Sequence, residues 1–119
     1  MPRQFSQDDR IDNEGAIVHV WVVSVAPGEC TAAAQRLTEL MESAVAKTPG
    51  FLEGEVLEAD DGRSVLAMSH WTSRHSWARA QWNDAIGRTI TELFQSASKM
   101  VDTMYYVRSV TRRTSDPHP

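Results

Sequence analysis

Hydrophobic and polar positions alternate along this chain in two rhythms, and the switches between them predict the elements. Residues 16–25 (AIVHVWVVSV) are β-branched and aromatic on both alternating sets, the pattern of a strand covered on both faces. Pro27-Gly28 breaks it. Over residues 30–47 the apolar positions Ala33, Leu37, Leu40, Met41, Ala44 and Val45 recur at helical spacing on one face. Thr48-Pro49-Gly50 ends that helix, because proline disfavours helical geometry in the residue before it. Residues 51–58 and 63–71 return to strand rhythm around Asp60-Asp61-Gly62, a hairpin signal. Ser73 then suits an N-cap. A helical stretch follows to about residue 98, with Ile86, Ile90, Leu93, Phe94 and Ala97 as its stripe. Asn83-Asp84 and Gly87 divide it into two pieces. Residues 103–110 (TMYYVRSV) form the fourth strand.

The order β-α-β-β-α-β is that of an α+β, ferredoxin-like split βαβ fold with a four-stranded antiparallel sheet. Its helices cover one face of the sheet. The strands are apolar on the other face too, so a second copy of the chain is the expected cover: a homodimer joined through the open sheet face. Residues 1–14 and 111–119 are polar and aperiodic and read as flexible arms, which leaves one folded domain over residues 15–110.

Composition narrows the partners. A net charge of −4 gives no basic footprint for nucleic acid. No run approaches the roughly 18–20 apolar residues that a membrane span needs, and the acidic N-terminus lacks an apolar signal core, so the protein reads as cytoplasmic. One cysteine, Cys30, precludes an internal disulfide and any Cys-rich metal site. The four histidines show no ligand spacing, so no metal is expected.

Three stretches, VWVVSVAPGE, TPGFLEGEVLE and MSHWTSRHSWARA, carry a resemblance. With Pro49-Gly50-Phe51 and Trp71-Thr72-Ser73 as its most telling pieces, the chain over about residues 16–110 resembles the antibiotic biosynthesis monooxygenase family of dimeric α+β barrels. The resemblance implies a monooxygenase that needs no flavin, haem or metal and uses molecular oxygen as co-substrate. Its substrate would be a small hydrophobic aromatic such as an anthrone or phenolic polyketide, and its product a quinone or hydroxylated compound. Cyclases and ligand-binding proteins share the architecture, so a polyketide cyclase or isomerase, or a non-catalytic hydrophobic-ligand carrier, is the alternative. Haem-degrading relatives carry a histidine on the second helical region, where this chain has none between His75 and His118.

The resemblance also implies that Trp71 lines the cavity and donates its indole N–H to a substrate oxygen. The family's oxygenases place an asparagine four residues earlier, where this chain has Ala67. Ser69, on the same strand face, is the substitute donor. The residues themselves supply the candidate bases, His19, His70 and His75, because imidazole titrates near neutrality. His70 and His75 stand with Trp71 as catalytic candidates, and His19 and Trp21, on one face of the first strand, as substrate contacts. Trp77 and Trp82 would wall a flat pocket, and Arg79 and Arg88 would hold an enolate or carboxylate through charge-assisted bonds.

Overall fold

The computed structural model describes residues 16–114; the 1–14 arm and the end of the 111–119 tail lie outside them. The elements are β1 (Ile17–Ser24), α1 (Cys30–Ser43), a 3-10 turn (Val45–Lys47), β2 (Phe51–Glu58), β3 (Ser64–Trp71), α2 (Arg74–Ala80), α3 (Asp84–Ser96) and β4 (Lys99–Tyr106). All sheet pairings are antiparallel and the strand order is β2-β3-β1-β4, so β2 and β4 are the edges. This is the expected split βαβ sheet.

Register assigns the faces. Ile17, His19, Trp21 and Val23 of β1 stand opposite Trp71, Ser69, Ala67 and Val65 of β3, and all eight are buried. On β4 their partners are Tyr106, Met104, Asp102 and Met100. Leu37, Leu40 and Met41 of α1 pack onto this face with Ile86 and Leu93 of α3. Burying a side chain of that size is worth about 1.5–3 kcal/mol, so this layer dominates the stability. The opposite face presents Val18, Val20 and Val22, flanked by Leu66 and Met68 on one side and by Val101 and Tyr105 on the other. No helix covers it.

Two glycines let the layers meet. Gly50, at φ +96°, holds a backbone conformation that L side chains rarely adopt, and a Cβ there would lie 2.1 Å from Ser76 Oγ. Its carbonyl accepts from the Thr72 N–H at 2.9 Å, which locks the Pro49-Gly50-Phe51 bend against the end of β3. At Gly54 a Cβ would reach within 2.6 Å of the Met41 sulfur, so only glycine lets α1 sit this close to β2.

Two boundaries and one burial differ from the sequence expectation. α1 stops at Ser43, and the chain continues as the 3-10 turn that drives Val45 into the core. Phe94 is exposed, because it lies one position off the Ile86–Ile90–Leu93 stripe that meets the sheet. The fourth strand begins four residues earlier than expected. Ser98 donates its N–H to the Ser24 carbonyl at 2.9 Å, and β4 then pairs with β1 from Ser24↔Lys99 to Ile17↔Tyr106. Residues 107–110 run beyond the start of β1 at Ile17, and no strand among the described residues pairs with them, whatever their β propensity.

Candidate active site

An aromatic ladder crosses the helix-covered face. Phe51 meets Trp71 edge-on at 5.5 Å between ring centroids, and Trp71 meets Trp77 in the same way at 5.5 Å. Trp77 then stacks on His19 at 3.9 Å with the planes 19° apart, and Trp21 closes on both rings, at 4.9 Å from His19 and 5.5 Å from Trp77. Ser73 places Trp77 here. Its hydroxyl accepts from the Ser76 N–H at 3.1 Å and starts α2 so that the fourth residue of the helix points down at the sheet.

His19 is the chemically unusual member. It is 2% exposed, and among the described residues neither ring nitrogen has a hydrogen-bond partner. Asp102 Oδ2 lies 3.7 Å from Nε2, too far for a hydrogen bond but close enough to act as a charge. Burial lowers the His19 pKa from 6.5 to about 4, against the opposing pull of the Asp102 carboxylate. The imidazole is therefore neutral at pH 7, with an acceptor nitrogen unspent.

Two hollows open onto this group. The larger, about 420 Å³, lies between α2 and β4 and is lined by His19, Arg74, His75, Trp77, Gln81, Asp102, Thr103 and Met104, with Ala78. The second, about 280 Å³, is walled by Trp21, Trp77, Ile86 and Ile90, with Gly87 and Thr91. Both include Trp77, Gln81 and Asp102. Among the described residues no three His, Cys, Asp or Glu side chains stand close enough to hold a metal ion. None of the helices among them is long and apolar enough to cross a membrane.

A model of the antibiotic biosynthesis monooxygenase family matches residues 6–92. The chain belongs to that family. Its fold is similar to that of SnoaB from Streptomyces nogalater, a cofactor-independent oxygenase solved as an asparagine-to-alanine variant. The TM-score is 0.71 at 18% identity, covering 83% of this chain and 99% of that one. A conserved protein from Methanosarcina mazei gives 0.73 at 16% identity over 83% and 99% of the two chains. A protein from Shewanella oneidensis gives 0.70 at 18% over 79% and 92%. At such identities the likeness establishes the fold alone. No curated protein matches the sequence significantly.

Within this monooxygenase-family fold the sequence candidates separate. His19, Trp21 and Trp77 come together, and His75 joins them at the rim of the larger hollow. Trp71 stands on the same sheet face, two positions along β3 from the Ser69 that pairs with His19; it is fully buried and donates its indole N–H to Ser69 Oγ at 2.8 Å. Those two side chains thus satisfy each other and line neither hollow. His70 pairs with Val18 on the open face, one position out of phase with Trp71. Trp82 is 84% exposed and borders, with Arg79 and Lys47, a separate depression near the end of α1. Arg88 is exposed on α3 and lines neither hollow.

Asp102, Arg74 and Gln81 reach the hollow without having been singled out in the sequence. Asp102 fell just outside the strand expected at 103–110. Its signal was the alternation Met100, Asp102, Met104, a carboxylate in phase with two half-buried methionines.

Proposed function

We propose that this chain is a cofactor-independent monooxygenase that oxidises an electron-rich polycyclic phenol or anthrone with O₂, with His19 as its base. The observation that carries the reading is the state of His19: a neutral imidazole withdrawn from water, with no hydrogen-bond partner, in the wall of a hollow. Family membership and the SnoaB fold support an oxygenase over other uses of the architecture.

The chemistry starts with proton transfer. His19 takes a proton from the methylene of an anthrone, or from a phenol, and leaves an electron-rich enolate or phenolate. The new imidazolium faces Asp102, whose charge stabilises it once it forms. The anion gives one electron to O₂, and the radical pair recombines into a C–O bond. The peroxide anion so formed takes the proton back from the His19 imidazolium, and the hydroperoxide loses water to give the quinone. Trp77 and Trp21 hold the ring system and exclude water, which strengthens the electrostatics at the moment of transfer. Trp71 supports this wall through its edge-on contact with Trp77 at 5.5 Å, its indole N–H being engaged by Ser69.

The test is oxygen uptake by metal-stripped protein with a tricyclic anthrone, corrected for spontaneous oxidation. The wild type should consume O₂ in proportion to protein and yield the quinone. His19→Phe, which keeps a ring against Trp77 but has no basic nitrogen, should lose roughly 10²–10⁴-fold in rate while still binding the anthrone. Unchanged turnover in that variant would remove His19 from the mechanism. A product of unchanged oxidation state, formed equally well without air, would assign the same base to a cyclase. Quenching of tryptophan fluorescence with no turnover would make the protein a carrier.

The same reading includes a homodimer. The open sheet face is apolar at Val18, Val20, Val22, Leu66 and Met68 and continues to Leu57, Val101 and Tyr105, each more than 40% exposed. A second copy meeting it across a two-fold axis covers like with like.

A further inference from the structure

Arg74 faces the larger hollow with a charge that the oxygen chemistry leaves unused. It is the first residue of α2, and Nη1 donates to Tyr106 Oη at 3.0 Å while the guanidinium lies 5.5 Å from the centre of the Tyr106 ring. The edge strand therefore holds the side chain in place. A guanidinium has five N–H donors, and Tyr106 is a neutral acceptor that uses one. Among the described residues no carboxylate pairs with Arg74. What remains is an oriented cation at the wall of a cavity, with donors to spare.

The two hollows differ in character. The smaller has Trp21, Ile86 and Ile90 as walls, and a Cβ added at its Gly87 would meet nothing within 4 Å. The larger has Arg74 and His75. Their shared wall contains Trp77, Gln81 and the carboxylate of Asp102. An aromatic molecule lying along Trp77 can bury its rings on the isoleucine side. Asp102 borders both hollows, so an anionic group meets that carboxylate in either, but only the larger hollow also offers it the Arg74 cation. The charges set an orientation as well as a preference.

We propose that this site selects aromatic substrates bearing a carboxylate on an arm away from the reacting ring, with Arg74 as the residue that binds the carboxylate and Tyr106 as the residue that positions Arg74. The proposal rests on the reading that these hollows form the substrate site. It requires no turnover, so it is tested by binding.

Tryptophan fluorescence is titrated with anthraquinone-2-carboxylate and with anthraquinone-2-carboxamide, a pair that differs in charge and hardly in shape. The wild type should bind the carboxylate about tenfold tighter or more. Arg74→Gln should abolish that ratio and leave the carboxamide affinity as it was. Tyr106→Phe should lower the ratio part-way, again with carboxamide binding unchanged, which a merely structural defect would not do. Equal wild-type affinities, a ratio that survives Arg74→Gln, or no binding of either ligand would each overturn the proposal. A carboxylate preference in a protein that consumes no O₂ with any anthrone would sink the oxygenase reading and leave this one standing. Oxygen uptake without the preference would do the reverse.

Discussion

His19 is a residue that a fold optimised for stability alone would replace. Two ring nitrogens without partners in a buried site cost about 1–3 kcal/mol each in lost solvation. The depressed pKa adds a pH dependence whose sign follows from linkage. Between about pH 4 and 6.5 the unfolded chain binds a proton at His19 that the folded protein refuses, so the contribution is present above 6.5 and is lost as pH falls towards 4. His19→Phe should therefore be more stable than wild type. In urea melts its advantage should grow on acidification from pH 6.5 to 4, by up to about 3 kcal/mol. A pH-independent difference would mean that the imidazole titrates normally. With His19 as the base of the proposed oxygenase, the same shift predicts an acid limb of the activity profile near pH 4, well below the ordinary imidazole range. Cys30 shows the contrasting case. It packs its thiol against the Ser64 carbonyl at 3.4 Å, and burial together with the Glu58 carboxylate pushes its pKa up, away from reactivity.

At the level of elements, the site depends on how α2 and α3 are divided. Asn83 makes the break. Its side-chain oxygen accepts from the Ala85 and Ile86 N–H groups at 2.8 and 3.1 Å, which starts α3 in the phase that turns Ile86 and Ile90 towards Trp21. Asn83→Ala should cost about 1 kcal/mol in a denaturant melt. It should also weaken anthraquinone binding more than Arg88→Ala, also at an exposed position, does, since only the former disturbs a cavity wall. Similar binding in the two variants would show that α3 is held by packing alone. The division was legible in the sequence, because Asn83-Asp84 is a cap signal that needs only local geometry. The start of β4 was not. Where a last strand begins depends on the length of the strand it pairs with, and β1 ends at Ser24. That four-residue difference decided whether Asp102 stood in the sheet or in a loop.

For the whole molecule, the sheet face that no described helix covers is a continuous apolar surface. Leu66 and Met68 sit on β3, inside the sheet, with Val20 and Val22 across from them. A charge placed there should be tolerated by a monomer and rejected by a two-fold interface. Leu66→Glu is expected to convert a dimer of this chain to a monomer in light scattering, with the far-UV spectrum retained. A wild type that runs as a monomer at micromolar concentration would overturn the dimer. His70 belongs to this surface, opposite Glu53 on β2, which is why a histidine adjacent in sequence to Trp71 lies on the wrong side for the hollow.

The division between chain and fold follows from the range of the forces involved. Alternation, helical stripes, turn residues and caps act over a few positions, so the chain by itself determined the element order, the split βαβ plan, the face on which Ala67, Ser69 and Trp71 lie, and the family. Burial of an imidazole, the spending of an indole N–H, and the meeting of a carboxylate with a histidine 83 residues away act through space. Only the tertiary structure decided that Trp71 turns to Ser69, that His19 stands unpartnered beside Asp102, and that Arg74 is the cation facing them. Those contacts are set by strand order and register, which bring β1 and β4 side by side across the whole length of the chain.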